Sequence, residues 1–170
     1  MQRLILMRHA RAQRTAPSGR DEDRELSAQG REDAVLMGRG LAGRGLRPDL
    51  AVVSTAARAR QTWDGAHEAF GDVEVELDPH LYNAGSGTLR AVIDQAQDRC
   101  ACLMIVAHNP GLPHLALDLL TEAAAPASVL DRFQGSYPPG AAAVFEVDAA
   151  GRCLYGGFFT PRDFGGGAGE

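Results

Sequence analysis

Short apolar runs alternate along the chain with longer stretches of helical period, and this alternation restricts the fold more than any other feature. Residues 4–7 (Leu-Ile-Leu-Met), 50–53 and 102–107 are continuously apolar and too short for helices. Such runs suit strands buried on both faces of a parallel sheet. Between them the spacing changes. Ser27 is placed to cap a helix reaching about Leu41, with Ala34, Met37, Gly38 and Leu41 on one face. Pro48-Asp49 marks the entry to the second strand. A helix over residues 56–70 follows, with Ala59, Thr62, Trp63, Ala66 and Phe70 on one side. Residues 73–77 alternate apolar and acidic side chains, as a half-exposed strand would. Residues 88–97 read as helix, and Pro110 or Gly111 opens another that reaches about Leu120. Residues 141–147 and 153–159 flank Asp148-Ala149-Ala150-Gly151-Arg152, the pattern of an antiparallel hairpin at the sheet edge. The expected class is α/β, with a mostly parallel central sheet and an antiparallel edge strand.

A chain of 170 residues suits one domain, expected over residues 1–160. Residues 161–170, ending Gly-Gly-Gly-Ala-Gly-Glu, read as a flexible C-terminal tail. Seventeen basic against 22 acidic residues leave a net charge of -5, so there is no extended basic face for nucleic acid. Any anion site must be a local concentration of arginine. The first apolar run is too short for a signal peptide or a membrane span, which makes the cytoplasm the expected location. Cys100, Cys102 and Cys153 cannot all pair, and Cys100 and Cys102 would share one face of a strand as reduced core residues. A lone C-x-C pair, with no carboxylate cluster nearby, does not make a metal site.

Function is written at the strand ends. The first strand ends in Arg8-His9, the second in Ser54, and a later central one in His108; Arg58 lies in the first turn of the helix after strand two. Open parallel sheets bind ligands at the carboxyl ends of their strands, and helix N-termini favour phosphate. Guanidinium forks match the equatorial oxygens of a phosphoryl group in transfer. One imidazole can attack phosphorus while the other donates a hydrogen bond, and a phospho-enzyme intermediate splits one difficult step into two easier ones. Neither cofactor nor metal is required.

These residues also resemble a known family. Leu6-Met7-Arg8-His9-Ala10 is similar to the RHG signature of the histidine phosphatase superfamily, with alanine in place of glycine. Ser54-Thr55-Ala56-Ala57-Arg58-Ala59-Arg60-Gln61-Thr62 resembles its S-P-x-x-R-A-x-Q-T segment, with threonine in place of proline. Val106-Ala107-His108-Asn109-Pro110 resembles its second-histidine segment, and Asp23-Arg24-Glu25-Leu26-Ser27, leading into Gly30, its D-x-R-P-L-T-x-x-G stretch. The resemblance implies a three-layer α/β/α sandwich of phosphoglycerate mutase-like type. It makes His9 the nucleophile and Arg8, Arg58 and His108 the phosphate pocket, all four counted as catalytic. Arg14 and Ser54 join Arg8, Arg58 and His108 as candidate substrate contacts. The short chain points to the SixA-like subgroup of phosphohistidine phosphatases, so a phosphohistidine-bearing protein is the expected partner. Oligomeric state is open.

Ala10 carries a structural expectation: the backbone after His9 must avoid positive φ or be strained. A chemical one comes from residues 78–83, Asp-Pro-His-Leu-Tyr-Asn, where many family members carry a glutamate that protonates the leaving group. An alkoxide needs that proton; an imidazole, with an ordinary pKa of ~6.5, needs less help. Asp78 and Tyr82 are the remaining candidate acids, with Asp78 beside Pro79 better suited to a turn. Phosphohistidine is thus favoured over a sugar phosphate, with a broad phosphomonoesterase and a non-catalytic phosphate-binding module as the alternatives. Arg11, like Arg14, could reach phosphate or an acidic partner, Arg24 could brace the loop by pairing with a nearby acid, and His114 could line the rim; the sequence settles none of these roles.

Overall fold

The apolar runs alternate sides as strands must, and each side meets its own helical layer. In the computed structural model, which describes residues 1–167, strand β1 (Arg3–Arg8) buries Leu4 and Leu6 in one core and Ile5 and Met7 in the other. Strand β2 (Leu50–Ser54) divides likewise, Leu50 and Val52 from Ala51 and Val53, as does β4 (Cys102–Ala107), Leu103 and Ile105 from Met104 and Val106. The second core is closed by α1 (Ala28–Gly43) through Met37 and Leu41, and by α2 (Ala57–Ala66) through Ala59, Trp63 and Ala66. The first is closed by α3 (Ser86–Ala96), α4 (Gly111–Glu122) and α5 (Ala127–Gly135), whose Leu89, Ile93, Leu112, Leu115 and Phe133 lie in it. This is the expected three-layer α/β/α sandwich. Truncating a fully buried leucine such as Leu6 to alanine would cost about 2–5 kcal/mol.

With β3 (Glu74–Asp78), β5 (Ala142–Val147) and β6 (Cys153–Phe159), the sheet has six strands in the order β3-β2-β4-β1-β5-β6. The first four are mutually parallel; β5 runs antiparallel to β1 and to β6. The helix after β1 lies on one face of the sheet and the helix after β4 on the other. A crevice therefore opens beyond the carboxyl ends of these two neighbours, where such a fold places its ligand.

Three local features differ from the sequence expectations. Residues 161–167 are not a frayed tail. Pro161–Phe164 forms a 3-10 turn held by a Thr160–Asp163 capping box, Phe164 stacks on Phe159 at 5.9 Å, and Gly167 N–H donates to the buried Asp33 at 2.9 Å. The rest of the expected tail lies outside the described residues. Cys100 and Cys102 do not share a face: Cys100 precedes β4 and packs in one core, while Cys102 packs in the other. Strand β3 leaves Val75 and Leu77 exposed, because it is one of the sheet's two edge strands.

Candidate active site

The site begins where β1 runs out. Arg8 pairs with Ala107 of β4 and donates its backbone N–H to Ala141 on the other side. His9 N–H then reaches Ala107 O at 3.1 Å, and His9 O accepts from Gly140 N at 2.9 Å. The nucleophile candidate is thus clamped between β4 on one side and the turn leading into β5 on the other. Its ring is fixed as well: Nδ1 lies 2.7 Å from Ala10 O. A carbonyl can only accept, so Nδ1 carries the proton and Nε2 keeps its lone pair. Burial first, then the nearby His108, Arg8 and Arg58 charges, pushes the His9 pKa down to about 3 against the opposing backbone bond. The ring is neutral at physiological pH, with its lone pair free on Nε2.

Alanine after His9 is accommodated without strain. Among the described residues with positive φ, the non-glycines are Asn83 and Ala124, so Ala10 needs no glycine. It is fully buried, and its N–H donates to Thr62 Oγ1 at 2.9 Å while the Thr62 hydroxyl donates to Arg58 O at 2.7 Å. That one side chain ties the loop after His9 to the helix carrying Arg58. The next residue, Arg11, passes close over the start of α1: Ser27 N–H donates to Arg11 O, and a Cβ on Gly30 would stand 2.0 Å from that oxygen. Only glycine fits there.

Arg58, 5% exposed, is held by a residue the sequence did not single out. Its Nη1 donates to Asp21 O at 2.8 Å and its Nη2 to Asp21 Oδ2 at 3.1 Å. Tyr82 OH donates to the same Oδ2 at 2.6 Å, and Arg24 Nε to Oδ1 at 2.8 Å. These hydrogen bonds, from Tyr82 first and Arg24 next, hold the Asp21 carboxyl far below the usual carboxylate range, whereas the same bond raises the Tyr82 phenol. Arg24 does brace the loop. The aspartate was hard to find because it sits in Asp21-Glu22-Asp23, three acids with nothing in the pattern to separate them.

His108 stands opposite, its ring centroid 5.2 Å from that of His9 and 5.7 Å from Tyr82, which meets it edge-on. Its Nε2 is 2.7 Å from Ser54 Oγ, which also accepts from Ala56 N at 3.3 Å. When the Ser54 hydroxyl gives its proton to His108 Nε2, Nδ1 is the protonated nitrogen and can donate to a phosphoryl oxygen. Burial and the Arg58 charge bring the His108 pKa down to about 4. Arg8 is braced by Nη1 donating to Tyr137 O at 3.0 Å, an oxygen that also takes Asn109 Nδ2 at 3.0 Å. Tyr137 is itself locked by its hydroxyl to Leu6 O. Neither Tyr137 nor Asn109 was legible as a supporting residue, since each acts through contacts distant in sequence.

Among the described residues, the buried side-chain polar atoms without a hydrogen-bond partner are Arg8 Nε, Arg58 Nε and His108 Nδ1. Buried donors are normally satisfied. These three sit on the three residues expected to hold phosphate, and phosphoryl oxygens would satisfy them. The structure therefore brings together Arg8, His9, Arg58 and His108. Ser54 is fully buried, with its hydroxyl on His108 Nε2, so it stands behind that ring. Arg14 stands apart, exposed on the loop and lining a separate cleft. Asp78 caps the following turn through His80 N–H, and His114 is exposed. No group of three or more His, Cys, Asp or Glu side chains suited to a metal occurs among the described residues.

A fold and a site of this kind define a phosphoryl-handling α/β enzyme. The model of the histidine phosphatase superfamily (branch 1) matches residues 4–120, and the chain belongs to that superfamily and is a phosphatase. An uncharacterised protein of Mycobacterium tuberculosis (strain H37Rv) is 34% identical over 168 residues, covering 92% of this chain and 100% of the relative. Among solved structures, a protein of Agrobacterium tumefaciens that carries the name of the phosphohistidine phosphatase SixA superposes with a TM-score of 0.82 at 31% identity, covering 94% of this chain and 99% of that one. The protein histidine phosphatase SixA complexed with tungstate gives a TM-score of 0.75 at 23% identity, covering 95% and 98%, and shares the fold.

Proposed function

We propose that this phosphatase hydrolyses phosphohistidine on a protein partner through a phospho-enzyme formed on His9. Arg8, Arg58 and His108 bind the phosphoryl oxygens through the three unpartnered donors. His9 Nε2 attacks phosphorus, the P–N bond to the partner's imidazole breaks, and that imidazole leaves. Water then attacks the phosphorus on His9, which releases phosphate and regenerates the neutral ring with Nδ1–H still on Ala10 O. Charge-assisted hydrogen bonds of this kind contribute about 1.5–3 kcal/mol each.

The observation that carries the choice of substrate is the state of the one carboxylate hydrogen-bonded to the pocket residues among those described. Asp21 is committed to Arg58, Arg24 and Tyr82 and stays ionised, so it has no proton to give. Tyr82 donates its proton to Asp21 and is a weakened acid, and Asp78 is tied to its turn. An imidazole leaving group takes a proton from solvent at neutral pH, whereas an alkoxide would need an acid in place. The neutral, oriented His9 argues for turnover over mere binding. The three free cysteines Cys100, Cys102 and Cys153, whose burial raises their thiol pKa values, fit a reducing cytoplasm.

Turnover of a phosphohistidine protein should exceed that of alkyl phosphates by about a hundredfold or more in kcat/KM, the scale of a missing general acid. Preferential hydrolysis of alkyl phosphates would defeat this reading while leaving the phosphatase intact.

A further inference from the structure

Asp21 belongs to two sites. On one side its Oδ2 and backbone carbonyl hold Arg58; on the other its Oδ1 takes Arg24, where the loop folds around a cleft of about 200 Å³. Arg14, Arg20 and Arg24 line this cleft together with Thr15, Gly19 and Asp21. In a chain of net charge -5, three arginines on one cleft do not follow from overall composition. The loop is built to present them. Gln13 N–H bonds to Glu25 O, Ala12 bridges Leu26, and Gly19, at φ +76, closes a turn onto Ala16 O.

The three guanidinium groups are unequally used. Arg24 is spent on Asp21 and on Gln13 O at 2.8 Å. Arg20 lies 3.8 Å from both Glu22 and Asp23, too far for a hydrogen bond, and Asp23 Oδ2 already accepts from Ser18 Oγ at 2.7 Å. Arg14 has no partner among the described residues. Two cations with donors to spare thus flank a cleft that shares a wall with the phosphate pocket.

We propose that this cleft is a second anion subsite, taking a carboxylate carried by the same substrate whose phosphoryl group lies at Arg8, Arg58 and His108. For a protein substrate this is an acidic side chain near the phosphorylated residue; Arg14 and Arg20 then set specificity without touching the reacting atoms. The inference rests on the phosphoryl site described above but not on the identity of the leaving group.

The test uses the full chain and competitive inhibitors with no leaving group: ω-phosphonocarboxylates of increasing chain length, each against the alkylphosphonate of equal length. They are read against whichever phosphorylated substrate is turned over, so failure of the phosphohistidine assignment does not affect the result. At low salt the best phosphonocarboxylate should bind about tenfold more tightly than its partner, as one charge-assisted contact allows. That advantage should shrink toward twofold at ~0.2 M salt, where exposed charges are screened. It should also shrink in Arg14→Gln and Arg20→Gln and reverse in Arg14→Glu. The alkylphosphonate Ki of each variant reports whether its phosphate pocket is intact. Equal Ki values across the wild-type series, or an advantage that survives both Gln substitutions, would overturn the proposal. Phosphohistidine peptides with glutamate or glutamine beside the histidine then distinguish the source. A glutamate preference assigns the carboxylate to a protein; inhibitor discrimination without it assigns the same subsite to a small metabolite.

Discussion

Lowering the pH to 5 should leave the attacking power of the free enzyme almost intact, and this follows from how His9 is buried. With its pKa near 3, the ring is about 99% neutral at pH 5. An ordinary imidazole, with a pKa of ~6.5, would be only about 3% neutral there. The two cases differ by about thirtyfold in kcat/KM, which reports the free enzyme. Because a phosphorylated substrate titrates too, its own ionisation is measured by phosphorus NMR and divided out. Nitrogen NMR of the imidazoles, with peaks assigned by His9→Gln and His108→Gln, reads the same quantity directly. The His9 ring should remain the neutral Nδ1–H tautomer at pH 5. A titration midpoint near 6.5, or a tenfold fall in corrected kcat/KM per pH unit below 6.5, would refute the argument.

The same two histidines make the protein acid-sensitive. Both folded pKa values, about 3 and about 4, lie below that of the unfolded chain, so the unfolded chain takes up protons first as pH falls. Stability should be full above pH ~6.5 and drop by about 2 kcal/mol per histidine by pH 5, seen as a lower denaturation midpoint that His108→Gln partly relieves. Asp21→Asn removes a charge from the Arg58 anchor and should lower kcat/KM by about 10–100-fold, mostly through KM; an unchanged KM would count against the anchoring role. Ser54→Ala removes the hydroxyl bonded to the His108 ring and should cost about tenfold in kcat/KM, the worth of one buried hydrogen bond. Inorganic phosphate should raise the thermal midpoint of the wild type, and much less that of Arg58→Ala.

The chain announces its sheet clearly because the central strands are buried on both faces and contain little but Leu, Ile, Val, Met and Ala. Arg8, His9, Arg58 and His108 were legible because their backbone positions follow from strand ends and a helix start, which local pattern locates. The supports were not. Thr62 looked like one more residue on a buried helical face, yet its hydroxyl joins Ala10 to Arg58. Tyr137 follows α5, in a segment with little periodicity, and reaches Arg8 through 129 residues of separation. Ser54 was expected as a substrate contact or to orient the pocket; its hydroxyl lies on His108 Nε2, a partner 54 residues away that no local spacing reveals. Hydrogen bonds between residues far apart in sequence depend on the assembled sheet, and no local spacing encodes them.

The central claim is that His9 is the nucleophile, and rapid-quench labelling tests it most directly. Mixing the protein with a substrate labelled on its phosphoryl group and quenching within a turnover should leave acid-labile, base-stable label on the peptide containing His9. Label absent under single-turnover conditions, or turnover retained by His9→Ala, would contradict the account.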